Sequence, residues 1–110
     1  MTGAPEDLSP GRVADLLRGG AQGVDVREQY ERDAGHIAET LHIELDHLTA
    51  EAHTLDRERP VVFYCRTGSR SALAAQAFAA AGFEAHNLDG GLKAWVKDGL
   101  PIDPPDGHVA

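Results

Sequence analysis

Thiol chemistry in this sequence is confined to one position. Of 110 residues only Cys65 is cysteine, so no internal disulfide can form and a disulfide-stapled fold is excluded. Long apolar runs are missing too: nothing approaches the ~20 residues of a membrane span. Met1–Asp7 has neither a basic n-region nor an apolar h-region, which makes the cytoplasm the expected compartment and a reduced thiol the expected state. Positive charge is the third shortage. Ten Lys and Arg stand against eighteen Asp and Glu, a formal charge of -8, which argues against a nucleic-acid partner because such a partner needs a basic face to replace counterions on phosphates. The acidic residues are dispersed, and charges beyond about 8 to 10 Å are largely screened. A local basic pocket can therefore still draw in an anion.

What is present fits one domain, with a core of about residues 8–101 and an irregular tail at 102–110, where Asp103-Pro104-Pro105 cannot continue a helix or a ladder. Helices and strands alternate. Ser9 as N-cap and Pro10 as first helical residue open a helix with Val13, Leu16 and Leu17 on its apolar face, and Gly19-Gly20 closes it. Gly23–Val26 reads as a strand, Glu28–Arg32 as a short helix ended by Gly35, Leu41–Ile43 as a short strand, and Leu48–Leu55 as a weaker helix. Val61–Tyr64 is a continuous β-branched and aromatic run, the pattern of a strand buried on both faces of a parallel sheet. A helix over Arg70–Ala81 follows, with an expected apolar stripe of Leu73, Ala77, Phe78 and Ala81. Then come a strand at Ala85–Leu88 and a last helix carrying Leu92, Trp95 and Val96. This order predicts an α/β domain with a mainly parallel central sheet and helices on both faces.

The loop Cys65-Arg66-Thr67-Gly68-Ser69-Arg70 leaves the carboxyl end of the predicted central strand, where open parallel sheets bind ligands. A thiolate is the reactive form of cysteine, and converging backbone amides, cations and a helix N-terminus all favour it. Gly68 lets the amides turn inward, Ser69 is placed to cap the next helix, and Arg66 and Arg70 offer guanidinium forks for an oxyanion. The site expected here binds a small anion beside a nucleophilic Cys65, with Thr67 as part of the cradle and the larger donor-binding effect at Arg70. Asp25 and Arg27 are expected to support the pocket, Asp25 as an acceptor for loop amides or a guanidinium and Arg27 as a partner for a carboxylate or carbonyl. His42, His47 and His53 match no zinc spacing and are read as surface residues. Trp95 is read as core.

These pieces resemble the rhodanese family, in its order, from about Leu8 to Pro101. Asp25-Val26-Arg27-Glu28 is similar to its Asp-x-Arg motif, Gly35-His36-Ile37 to its Gly-His-Ile segment, and Tyr64–Ala72 to its active loop. Leu88-Asp89-Gly90-Gly91 with Trp95 is similar to its C-terminal Gly-Gly and tryptophan segment. Ala38-Glu39 and His42-Ile43-Glu44 stand where the family commonly has a proline and Asn-Ile-Pro, a departure that bears on the path of that loop. The resemblance implies a sulfurtransferase with a Cys65 persulfide, no metal or organic cofactor, thiosulfate or a similar small anionic donor, and an external acceptor such as cyanide, a small thiol or a protein thiol. A persulfide carrier fed by a partner protein is the alternative within the same chemistry. A cysteine phosphatase or arsenate reductase is a further one, disfavoured because four residues rather than five separate Cys65 from Arg70.

Overall fold

The computed structural model describes residues 5–110. Among these residues five strands form one sheet in the order β1-β5-β4-β2-β3, with every neighbouring pair parallel. The strands are β1 (Glu6–Leu8), β2 (Gln22–Asp25), β3 (Leu41–His42), β4 (Val61–Tyr64) and β5 (Ala85–Leu88). Between them run α1 (Pro10–Arg18), α2 (Gln29–Ala34), α3 (Leu48–Glu51, flanked by 3-10 turns at Leu45–His47 and Ala52–Thr54), α4 (Ser69–Ala80) and, last, α5 (Gly91–Lys97). The α/β reading holds, and the parallel sheet carries helices on both faces. Among the described residues no helix is long and apolar enough to cross a membrane.

Strand β4 is the axis of the core, and its four residues are all buried. Side chains alternate across a strand with period 2. Val61 and Phe63 accordingly enter one cluster with Phe78, Ala74 and Leu48, while Val62 and Tyr64 enter the other with Val13, Leu92 and Trp95. Cys65 continues the parity of Val61 and Phe63 and belongs to the first cluster, under α4. Sheet parity thus sets which face the thiol occupies.

The first helix forms as the sequence predicts: Pro10 occupies its first turn and the Ser9 hydroxyl accepts from Arg12 N at 3.3 Å. Glu28 and Glu31 close a capping box on α2. Two expectations are corrected and one strand is added. Strand β1 was not foreseen, because of its three residues only Leu8 is apolar and buried; it is an edge strand held by pairing with β5. On α4 the buried side is Ser71, Ala74, Ala75, Phe78 and Ala79, while Leu73 is 61% exposed. Alanine on every side of this helix leaves its periodicity almost flat, and close packing on β4 and β5 selects the small residues rather than Leu73. Ser69 does not cap α4; Gly68 is the N-cap at φ 99°, a left-handed conformation suited to glycine.

The loop where the sequence departs from the family pattern turns through Glu39 at φ 64°. His47 and His53 are exposed, whereas His42 is half-buried with Nε2 2.7 Å from the Arg27 carbonyl. Trp95 is core, its indole N–H donating to Pro101 O at 2.8 Å. Residues 102–110 hold no helix and are tied back to α2 and its C-terminal loop by His36 N to Asp103 O (3.0 Å), Asp103 N to His36 O (2.7 Å) and His108 N to Ala34 O (2.9 Å).

Candidate active site

Cys65 follows β4 directly and is 1% exposed. The chain then turns back over the sulfur because α4 begins only four residues later. Two donors reach Sγ: the backbone N–H of Gly68 at 3.1 Å and the hydroxyl of Ser71 at 3.3 Å. Burial alone pushes the Cys65 thiol up. The Ser71 hydroxyl and the amides of Ser71, Gly68 and Thr67 outweigh burial and hold it below the ordinary thiol range. The loop therefore favours a thiolate through hydrogen bonds rather than through solvent.

A second glycine shapes the cradle from below. Gly91, at φ 64° in the first turn of α5, lies so close to the loop that a Cβ there would sit 2.5 Å from the Arg66 carbonyl carbon and oxygen. This approach lets α5 donate from Leu92 N to Cys65 O (2.8 Å) and from Lys93 N to Arg66 O (3.1 Å). The loop carbonyls are thereby turned away from the sulfur and the amides toward it.

The two loop arginines differ in their partners. Arg70 meets Glu31 of α2 fork to fork, Nη1 to Oε1 at 2.8 Å and Nη2 to Oε2 at 2.9 Å. The Arg70 guanidinium is the main reason that the Glu31 carboxyl lies below its ordinary range, against the opposing effect of burial. Arg66 bonds through Nε to the backbone oxygen of Ala110 at 2.9 Å, and among the described residues no side-chain carboxylate pairs with it. Thr67 and Ser69 are exposed on the loop's outer side.

Asp25 and Arg27 pair with each other, both fully buried. Asp25 Oδ1 accepts from Arg27 N (3.0 Å) and Nε (2.8 Å), Oδ2 accepts from Nη2 (2.7 Å), and Nη2 also donates to Gly35 O (2.8 Å). Asp25 lies opposite Tyr64 in the β2–β4 register, and the Arg27 guanidinium stands 5.9 Å from the Tyr64 ring centre. Both residues thus lie with Tyr64 rather than with the sulfur, and the structure gives them no contact to Cys65.

Sequence reasoning missed Ser71 as a sulfur ligand, and missed Asn87 and Glu31 altogether. Ser71 lies on the buried side of α4. Asn87, on β5, accepts from its hydroxyl at 2.6 Å and donates to Gly68 O (3.1 Å) and Asp7 Oδ1 (2.9 Å). A polar residue in the second half of a buried strand was the available signal for Asn87. Nothing local in α2 singles out Glu31.

Comparison with known proteins places these features in a context. Residues 9–98 match the sequence model of the family described as Rhodanese-like domain. The chain is 32% identical over 110 residues to the thiosulfate sulfurtransferase GlpE of Pseudomonas aeruginosa, covering 99% of each chain. It is 35% identical over 78 residues to the putative sulfurtransferase YtwF of Bacillus subtilis, covering 71% of this chain and 76% of that one. Among solved structures, the rhodanese-related protein of Thermoplasma volcanium superposes with a TM-score of 0.83 at 25% identity, covering 88% of this chain and 96% of the other.

Proposed function

The chain belongs to the rhodanese-like domain family, and from that premise we propose that it is a sulfurtransferase that carries sulfane sulfur on Cys65. The donor is thiosulfate or a similar small anion. The Cys65 thiolate attacks its outer sulfur, a new S–S bond forms, the old one breaks, and sulfite leaves with the electron pair. An external acceptor, namely cyanide, a small thiol or a protein thiol, then attacks the outer sulfur of the persulfide and returns the Cys65 thiolate. No second cysteine is available to resolve the persulfide within the chain.

The observation that carries this reading is the buried Cys65 Sγ receiving hydrogen bonds from Gly68 N and Ser71 Oγ. Donors already in place around a sulfur that gains and loses charge stabilise it without solvent reorganisation. Arg66 and Arg70 supply positive charge at the mouth, and the amides of Thr67, Gly68 and Ser69 complete the cradle for the outer sulfur. Phosphoryl transfer is disfavoured by the four-residue spacing between Cys65 and Arg70 and by the engagement of both Arg70 Nη groups with Glu31. One preparation tests both chemistries: thiosulfate-to-cyanide transfer is expected, with negligible hydrolysis of p-nitrophenyl phosphate. Cys65-dependent phosphatase turnover without sulfur transfer would overturn the proposal.

A further inference from the structure

Ser71 carries one hydroxyl hydrogen and stands between two acceptors. Its Oγ is 2.6 Å from Asn87 Oδ1 and 3.3 Å from Cys65 Sγ, and it is fully buried, so water offers no third partner. The orientation of the Asn87 amide is fixed by its other neighbours. Its nitrogen faces two acceptors, Gly68 O and Asp7 Oδ1, so its oxygen must face Ser71. A hydroxyl donates only once, and the two acceptors compete for it.

We propose that Ser71 is a catalytic residue whose hydroxyl changes partner with the charge on Cys65, and that Asn87 is the positioning residue that takes the hydrogen when the sulfur does not need it. While Sγ is a neutral thiol, or a neutral bridging sulfur with the charge on the outer atom, the hydroxyl gives its hydrogen to Asn87 Oδ1, the shorter contact. When Sγ carries the charge, the hydroxyl turns to it and Asn87 Oδ1 gives up its donor. The role in sulfur transfer rests on the persulfide mechanism proposed above.

The consequence for the two half-reactions differs in sign. During loading the charge leaves Sγ, so a ground-state hydrogen bond from Ser71 makes the thiolate a slightly weaker nucleophile. During discharge the charge returns to Sγ, and the same bond makes it a better leaving group. Attacking-thiol reactivity rises with about 0.4 to 0.5 of the basicity, and a more acidic leaving thiol departs faster. A shift of one unit in Cys65 basicity therefore corresponds to about threefold in each half-reaction, in opposite directions.

Three variants of the full chain test this by the pH profile of Cys65 alkylation and by the separate rates of loading from thiosulfate and discharge to cyanide. Ser71→Ala is expected to raise the alkylation midpoint by about one unit, a tenfold change in the protonation equilibrium. Above that midpoint it should load at least as fast as the unmodified protein and discharge about threefold more slowly. Asn87→Leu removes the competing acceptor and is expected to move the midpoint the other way, downward. Ser71→Thr keeps the hydroxyl and should restore the original midpoint, which covers the case in which the alanine variant folds poorly.

A residue with only a structural role would lower both half-reactions together and leave no opposition between the Ser71 and Asn87 variants. Unmoved midpoints, or midpoints raised in both variants, overturn the inference while normal sulfur uptake by the unmodified protein leaves the persulfide reading intact. Opposite midpoint shifts in a protein that takes up no sulfur would do the reverse.

Discussion

Glu31 and Arg70 meet in a two-pronged ion pair at 2.8 and 2.9 Å, and the Glu31 side chain is only 4% exposed while the Arg70 side chain is 34% exposed. The pair joins α2 to the first turn of α4, so the arginine is held rather than free to wrap an incoming anion. Arg66 bonds through Nε to Ala110 O, and among the described residues neither of its Nη groups has a hydrogen-bond partner, so it is the freer fork at the mouth.

From this asymmetry we expect the opposite order of effects to the one read in the sequence. Arg66→Ala should raise the KM for thiosulfate, roughly tenfold for one lost charge-assisted contact. Arg70→Ala should act first on stability, costing about 1 to 3 kcal/mol because it strands a buried carboxylate. Steady-state kinetics beside urea unfolding of both variants checks the order, and a larger KM effect at Arg70 would restore the original one.

Asp25→Ala and Arg27→Ala should each destabilise far more than they alter sulfur chemistry. Asp25→Ala leaves the fully buried Arg27 guanidinium without its carboxylate, a loss of about 3 to 5 kcal/mol, and Arg27→Ala leaves the equally buried Asp25 with only the longer Arg32 contact at 3.7 Å. Total stability is about 5 to 15 kcal/mol, so these variants should unfold at much lower urea concentration. Where they remain folded, the alkylation profile of Cys65 should match that of the unmodified protein.

Burial, with the charge of Asp25, pushes the Tyr64 phenol up to about 12, against its hydrogen bonds with Thr40 Oγ1 and Ile37 N. Folding raises this pKa, so the neutral phenol favours the folded state. The contribution is complete below the unfolded value near 10 and is lost as pH rises toward about 12. Tyr64→Phe should flatten the alkaline fall of stability in that window. It should also cost about 1 to 3 kcal/mol at neutral pH, because Ile37 N, 3.1 Å from the phenol oxygen, loses its acceptor.

For Cys65 the sign is opposite. Folding lowers the thiol pKa, so ionised Cys65 favours the folded state; this contribution is present above the unfolded value near ~8.5 and is lost as pH falls through the lower folded one. The stability of the unmodified protein relative to Cys65→Ala should therefore rise with pH across that window. A constant difference from pH 5 to pH 10 would contradict the hydrogen-bonded thiolate.

The sequence made the parallel sheet legible because its strongest signal, the run Val61–Tyr64, is also its most buried strand and delivers Cys65 to the loop. Glycine punctuation was readable in part: Gly68 was read as the turn of the loop, but its place as left-handed N-cap and the approach of Gly91 to the loop emerge only in the fold. What stayed hidden depends on contacts between distant segments. Glu31 is 39 residues from Arg70, and Asn87 is 80 from Asp7; no local period or propensity encodes such pairings. The buried side of α4 was misread for a local reason: of the two large apolar residues in this alanine-rich helix Phe78 is buried as expected, but Leu73 drew the expected stripe toward the solvent side.

The most direct measurement is intact mass before and after incubation with thiosulfate. The account predicts a gain of one sulfur atom per chain, removed by cyanide or dithiothreitol and absent in Cys65→Ser. No gain in the unmodified protein, or removable sulfur on the serine variant, would contradict it.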